Sequence, residues 1–364
     1  VKRILGIVLA FALIGGVITA VVLGRDDSEA SGTTTVRGVI GSEKAEFFND
    51  PEVIDALAEQ GFAVETESSG SWDMQGLDLK GQDFAFPGSS SPARAVSRAH
   101  HVGGAPLRPF YSPLVVLARR PAARTLAANG YVKLTGPAGR EGSGTLRMAP
   151  FLKAAGKDTT WQELKGGGEY AELKGTLSIA STDPLASNSG ALYLATAAYV
   201  ANDNQTVNDA RGIAAVTPLT RKLTAAQGSQ KVNSEDLFDD FNTGVGTPLV
   251  FAYESQIAAL LIRGDTVDDL VVLYPDTTVF SDHSLVPLTE RGRKFGELLK
   301  ADPTLRKLAV RHGFRPEGGT SEFAAATAKH GTYLRQKVTG TVEQAKVPTP
   351  EVMREIARRS RAQK

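Results

Sequence analysis

Cysteine is absent from all 364 residues. That excludes disulfides, thiolate metal sites and a cysteine-borne lipid, so any core here stands on packing alone. Excess charge is lacking too: 41 Lys and Arg face 40 Asp and Glu, a formal net of +1. Such a balance carries no polyelectrolyte signal, and no nucleic-acid partner is expected. The five histidines show no ligand spacing. His100 and His101 are neighbours, and neighbouring side chains on a helix face apart, so neither metal nor cofactor is expected. A G-x-S-x-G elbow and an S-x-x-K motif are also missing, which removes the usual serine-hydrolase signatures. The chain reads as a protein that is not an enzyme. No repeat of about 20–50 residues is apparent.

What is present begins with an apolar run. Residues 4–23 hold no charge, and a helix of that length spans about 30 Å, the thickness of a bilayer's hydrocarbon core. Lys2 and Arg3 precede it while Asp26, Asp27 and Glu29 follow. The positive-inside rule then leaves the N-terminus in the cytoplasm and exports the rest. Residues 1–24 are therefore expected to form a signal anchor, and 25–35 a flexible polar stalk, with an extracytoplasmic body on a single-pass membrane tether. A cleaved signal peptide competes, since Ser28-Glu29-Ala30 has cleavage-like spacing. In that case the body is secreted, although the run exceeds the roughly 7–15 apolar residues of a signal peptide.

The body is long enough for two domains of about 100–200 residues. VRGVIGS at 36–42 is strand-like, EKAEFFNDPEVIDALAEQ has helical spacing through Phe48, Val53, Ile54 and Leu57, and FAVETES follows as a strand. A third strand at 83–86 leads through Gly88-Ser89-Ser90 to a helix with Ser91 as N-cap and Pro92 at its first position. Residues 114–117 read as a strand buried on both faces or a segment crossing between lobes. Residues 148–155 read as a helix, Thr160-Trp161 introduces another, and TLSIASTDP reads as a strand with Leu177 and Ile179 on one face. A helix with Leu192, Leu194 and Tyr199 follows, then a strand, LVFAY, running straight into a helix. Strands alternating with helices define an α/β class, whose ligand sites lie beyond the strands' carboxyl ends.

Strand-to-helix junctions share one chemistry: Gly41-Ser42, Gly88 to Ser91, Ser187-Asn188-Ser189-Gly190, and Tyr253-Glu254-Ser255. The first N–H groups of a helix lack intrahelical partners and sit at the positive end of its dipole. Hydroxyls and N–H groups converging from several such starts bind an oxyanion without a lysine. Taken singly, each serine is an ordinary N-cap.

These residues, with VIGSEKAEFF, FPGSSSPA, TDPLASNSGALYLA, VFAYESQIA and LYPDTTVFSDHSLVPL leading to GFRP, resemble the type II extracytoplasmic solute-binding proteins of ABC transporters. The phosphate- and molybdate-binding branch is the most similar. The resemblance covers roughly residues 36–316. It implies a two-lobed periplasmic-binding-protein fold with a two-segment hinge: lobe one from 36–117 plus 272–345, lobe two from 118–271. It also implies an oxyanion contacted by Ser42, Ser89, Ser90, Ser187, Ser189 and Tyr253, for delivery to a permease or sensor. A buried acceptor carboxylate favours a ligand that still carries a proton, and Asp183 and Glu254 are the candidate acceptors, although each also reads as a local helix-start or turn group. The family's lipid-bearing cysteine is missing, and Ser-Asn-Ser-Gly replaces the phosphate binders' Ser-Gly-Thr. The tail beyond GFRP is expected to pack on the first lobe, and residues 346–364 to end it as a basic helix. The alternative function is a binding-protein fold recruited as a tethered sensor or envelope module.

Overall fold

The computed structural model describes residues 33–361, apart from 268 and 320. The expected anchor at 1–24 lies outside the described residues. Among those described, no helix is long and apolar enough to cross a membrane. Strand β1 (Thr34–Ile40) starts inside the expected stalk. A 3-10 turn at Ser42–Lys44 leads into α1 (Ala45–Asn49) and α2 (Pro51–Glu59). The single helix expected here is broken at Pro51, which lacks the N–H needed to continue it. Asp50 restarts the chain by accepting the Glu52 N–H at 2.9 Å. Gly61, at φ 78°, turns it into β2 (Phe62–Ser68).

Strand β3 (Phe84–Phe86) lies parallel to β1, with Gly38 opposite Phe84. Helix α3 (Ser90–Ala99) starts two residues earlier than expected, with Ser89 and not Ser91 at the cap. Strand β4 (Leu107–Arg119) follows. Then come α4 (Arg120–Ala128), β5 (Val132–Thr135), β6 (Ser143–Leu146) and the expected α5 (Met148–Ala155). Thr160-Trp161 opens only a 3-10 turn, Trp161–Glu163, whose Glu163 side chain accepts the Thr160 N–H at 2.6 Å. TLSIASTDP forms isolated bridges, Thr160 to Thr176 and Ala180 to Val250, and no strand. The Ser181 N–H is taken by Gln227 Oε1 at 2.7 Å, so a side chain interrupts the ladder while Leu177 and Ile179 stay buried.

Helix α6 (Asn188–Ala201) is buried from Asn188 to Tyr199, so it runs through the interior with no solvent face over most of its length. After α7 (Ala210–Ala225) and α8 (Ser234–Asn242), β7 (Leu249–Tyr253) runs straight into α9 (Glu254–Arg263), as read from the sequence. The remainder is β8 (Leu270–Pro275), β9 (Thr277–Thr278), β10 (Phe280–Pro287), α10 (Glu290–Ala301) and α11 (Pro303–Arg311), then β11 (Arg315–Pro316), α12 (Ser321–Ala326), β12 (Glu343–Gln344) and α13 (Pro350–Ser360).

The main sheet runs β2-β1-β3-β10-β4-β8-β6-β5, with β7 and β11 also paired to β4. Up to Pro113, β4 pairs with β10; from Leu114 it pairs with β7 and from Val116 with β8. The change of partners falls at a proline, which cannot donate to a ladder. Leu114 to Ala118 are wholly buried, so the segment is both the two-faced strand and the crossing. Helix α13 packs mainly on α7 and α6, not on the expected first part of the chain. Its Met353, Ile356 and Ala357 join the cluster around Leu192 and Leu223, and Ser360 Oγ lies 2.7 Å from Thr220 Oγ1.

Candidate functional site

Two kinds of helix start occur in this fold. Asp50, Asp209, Thr289, Asp302 and Thr349 cap their helices, each side chain accepting a first-turn N–H. Ser89, Ser187 and Asn233, before α3, α6 and α8, make no such bond. Gly41, before the turn at Ser42, has no side chain to do so. Ordinary capping therefore does not account for the serines, and their side chains are directed elsewhere.

They are directed at one another. Ser42, Ser187 and Tyr253 line a common cavity with Ser69 and Ser71 from the loop after β2, and with Asn233 and Ser234 from the start of α8. At the centre stands Asn188. Its Oδ1 accepts the Ser89 hydroxyl at 2.6 Å, and its Nδ2 donates to the Tyr253 hydroxyl at 3.0 Å and to Ser281 Oγ at 3.2 Å. Ser281 in turn donates to the Gly88 carbonyl, and Ser71 Oγ accepts the Gly88 N–H at 3.0 Å. A Cβ on Gly88 would come within 2.8 Å of Asn188 Nδ2, so glycine is what lets the loop meet the amide. Gly190 serves the other side, where a Cβ would stand 2.0 Å from the Thr182 carbonyl oxygen. Ser189 Oγ lies 2.7 Å from Thr182 Oγ1 and 3.4 Å from Ser187 Oγ. Burial, then the charge of Glu43, pushes the Tyr253 phenol well above its ordinary value, so it remains a protonated donor.

The enclosed space measures about 10 Å³, room for about one water molecule. A four-oxygen ion is larger than this space. Of the other residues named from the sequence, Ser90 lines a separate cavity of about 350 Å³ with Arg94, Asp282 and Lys346, and Ser89 borders that cavity too. Asp183 does not face the cleft. It accepts the Leu185 N–H at 2.9 Å and pairs with Arg361 at 2.5 Å. Glu254 is buried in a two-bond pair with Arg315, at 2.6 and 2.9 Å, and accepts the Tyr274 hydroxyl at 2.5 Å.

The carboxylate that does line the cavity is Glu43, whose side chain is 5% exposed. Its Oε1 receives the Lys44 ammonium and lies 3.3 Å from His283 Nδ1, while Oε2 has no hydrogen-bond partner among the described residues. Burial alone would raise this carboxyl, but Lys44 and His283 outweigh it and hold it well below the usual range. Burial, then Lys44, lowers His283 to about 4, so the imidazole is neutral at pH 7. Lys44 is itself fully buried, with its Nζ 4.9 Å from the centre of the Phe86 ring.

Sequence reasoning missed Asn188, although it lies inside the quoted SNSG. It also missed Ser281, Glu43 and the Asn233-Ser234 start of α8, which repeats the polar pair before a helix and could have been found by that signal. His283 and Lys44 carried none.

No family model matches the chain, and no curated protein matches it in sequence. Solved structures do match. A periplasmic thiamin binding protein is 12% identical with a TM-score of 0.58, over 93% of this chain and 100% of its own. An ABC transporter solute binding protein from Thermotoga lettingae TMO, bound with α-D-tagatose, is 13% identical with a TM-score of 0.56, over 90% and 93%. The sulfate-binding protein SubI of Mycobacterium tuberculosis H37Rv is 16% identical with a TM-score of 0.52, over 88% and 96%. At such identities the likeness is one of fold: a mixed α/β two-domain architecture of the periplasmic binding-protein kind.

Proposed function

We propose that this chain is an extracytoplasmic solute-binding protein that captures a small oxyanion between two lobes and presents the closed form to an ABC permease. The lobes are 36–117 plus 272–345 and 118–271, and the 4–23 segment tethers the body to the membrane. The observation that carries this reading is the convergence of uncapped helix starts, at Ser89, Ser187 and Asn233, on hydroxyls and the Asn188 amide. At α6 Thr182 Oγ1 takes the Gly190 N–H at 2.9 Å, which leaves the Asn188 and Ser189 N–H groups of the first turn, and such N–H groups and dipole ends favour negative charge. No covalent step is needed, since binding energy closes the lobes.

Glu43 takes the role first given to Asp183 and Glu254. An ionised, unpartnered Oε2 against a bound anion is costly unless the ligand supplies a proton. Hydrogen phosphate does so at neutral pH; sulfate and molybdate do not. Calorimetry on the full chain in detergent should show heat with phosphate and at least about tenfold weaker sulfate and molybdate, a difference of about 1.4 kcal/mol. Glu43→Gln should narrow that ratio. An absence of heat with every oxyanion overturns the reading.

A further inference from the structure

Beside the small cavity lies a larger one of about 210 Å³, and Glu43 lines both. Its far wall is α8. Glu235 and Asp239 lie four residues apart there and so share a helix face, and Phe238, Phe47 and Phe314 line the same cavity. The cations nearby are already engaged. Arg263 pairs with Glu46 at 3.2 Å and Asp265 at 3.1 Å, His312 pairs with Asp50 at 2.7 Å, and Lys44 pairs with Glu43. Glu235 accepts only the Gln256 amide, at 3.1 Å, and neither it nor Asp239 has an ion-pair partner among the described residues. Ser255, 2% exposed, lines the same cavity, and its hydroxyl has no hydrogen-bond partner among the described residues. The buried hydroxyl and the free Glu43 Oε2 are polar groups awaiting a donor. Among the described residues, no group of three or more His, Asp and Glu could hold a metal ion, which favours an organic cation over a bare one. Burial keeps Glu235 protonated near pH 7, and an ammonium beside it favours its ionised form; carboxylates beside aromatic faces are the chemistry that holds such cations.

We infer that the solute is a small zwitterion, its oxyanion at the uncapped helix starts and its ammonium over Glu235 and Asp239 in the adjoining cavity. This rests on the oxyanion reading above. Glu43 and the start of α8 border both cavities, so one molecule spans them.

The test is a matched pair of probes that differ only in the ammonium group, phosphoethanolamine and ethyl phosphate, with inorganic phosphate as a third. Each is titrated into the full chain by calorimetry. Phosphoethanolamine should bind at least about tenfold more tightly than ethyl phosphate. Asp239→Asn, at an exposed position that tolerates the change, should shrink that ratio several-fold, and adding Glu235→Gln should bring it near one. Ethyl phosphate affinity should stay constant throughout. Equal binding of the two organic phosphates by the unaltered chain, or an unchanged ratio in both variants, overturns the cation subsite and leaves the oxyanion reading standing. Silence from all three probes overturns both.

Discussion

At the scale of single residues, burial separates groups that look alike in sequence. Glu43 and Glu235 face neighbouring cavities, yet their carboxyls move in opposite directions. Lys44 and His283 overcome the burial of Glu43. Burial, with Glu43, Glu46 and Asp239 adding to it, pushes Glu235 from 4.5 up to about 8 against the Gln256 hydrogen bond. The folded state then binds the Glu235 proton more readily than the unfolded chain does. That contribution to stability is complete below about 4.5 and is lost as pH rises toward 8. Thermal melts from pH 5 to 9 should show a steeper fall for the unaltered protein than for Glu235→Gln, by a few degrees. Parallel profiles would show that Glu235 titrates normally. Glu254, in contrast, was out of reach of sequence reasoning, because its partner Arg315 stands 61 positions away.

At the scale of elements, the division between capped and uncapped helix starts is itself measurable. Asp209 accepts the Gly212 N–H at 2.8 Å, so Asp209→Ala should cost about 1 kcal/mol of stability with no change in ligand affinity. Ser187 caps nothing. Ser187→Ala should cost less than about 0.5 kcal/mol in a denaturant melt while weakening phosphate. The reverse pattern would return the serine to an ordinary capping role. Strand and helix positions were largely legible here, since apolar spacing and Gly or Pro punctuation mark β1, β3, α5, α6 and the β7-to-α9 junction. Among the places that failed, two did so for plain local reasons. TLSIASTDP has a strand's alternation, but Gln227 takes its Ser181 N–H, and Pro51 divides what periodicity presents as one helix.

For the whole molecule, β4 and α13 are the long-range connections. β4 changes partners at Pro113 and runs through both parts of the sheet. α13 lies on α6 and α7 and reaches α3 through an exposed Arg98–Glu351 pair at 2.6 Å. Exposed pairs contribute little, so the tail's contribution resides in Met353, Ile356 and Ala357. Ile356→Ala should destabilise the protein by about 2–5 kcal/mol, whereas Glu351→Gln should leave the melting temperature nearly unchanged. A large loss from Glu351→Gln alone would place the tail's anchorage on α3 instead.

Read alone, the residues determine which local devices exist: the α/β alternation, the polar pairs before helices, and the glycines at 88 and 190. These are short-range properties of spacing and side-chain chemistry, so they survive without knowledge of the fold. Tertiary structure alone decided which devices meet. It set Asn188 between Ser89 and Tyr253, turned Glu254 toward Arg315 and Asp183 toward Arg361, and brought Glu43 to the cavity. Those outcomes depend on contacts between distant segments, where a buried charge must find its partner or be left unsolvated.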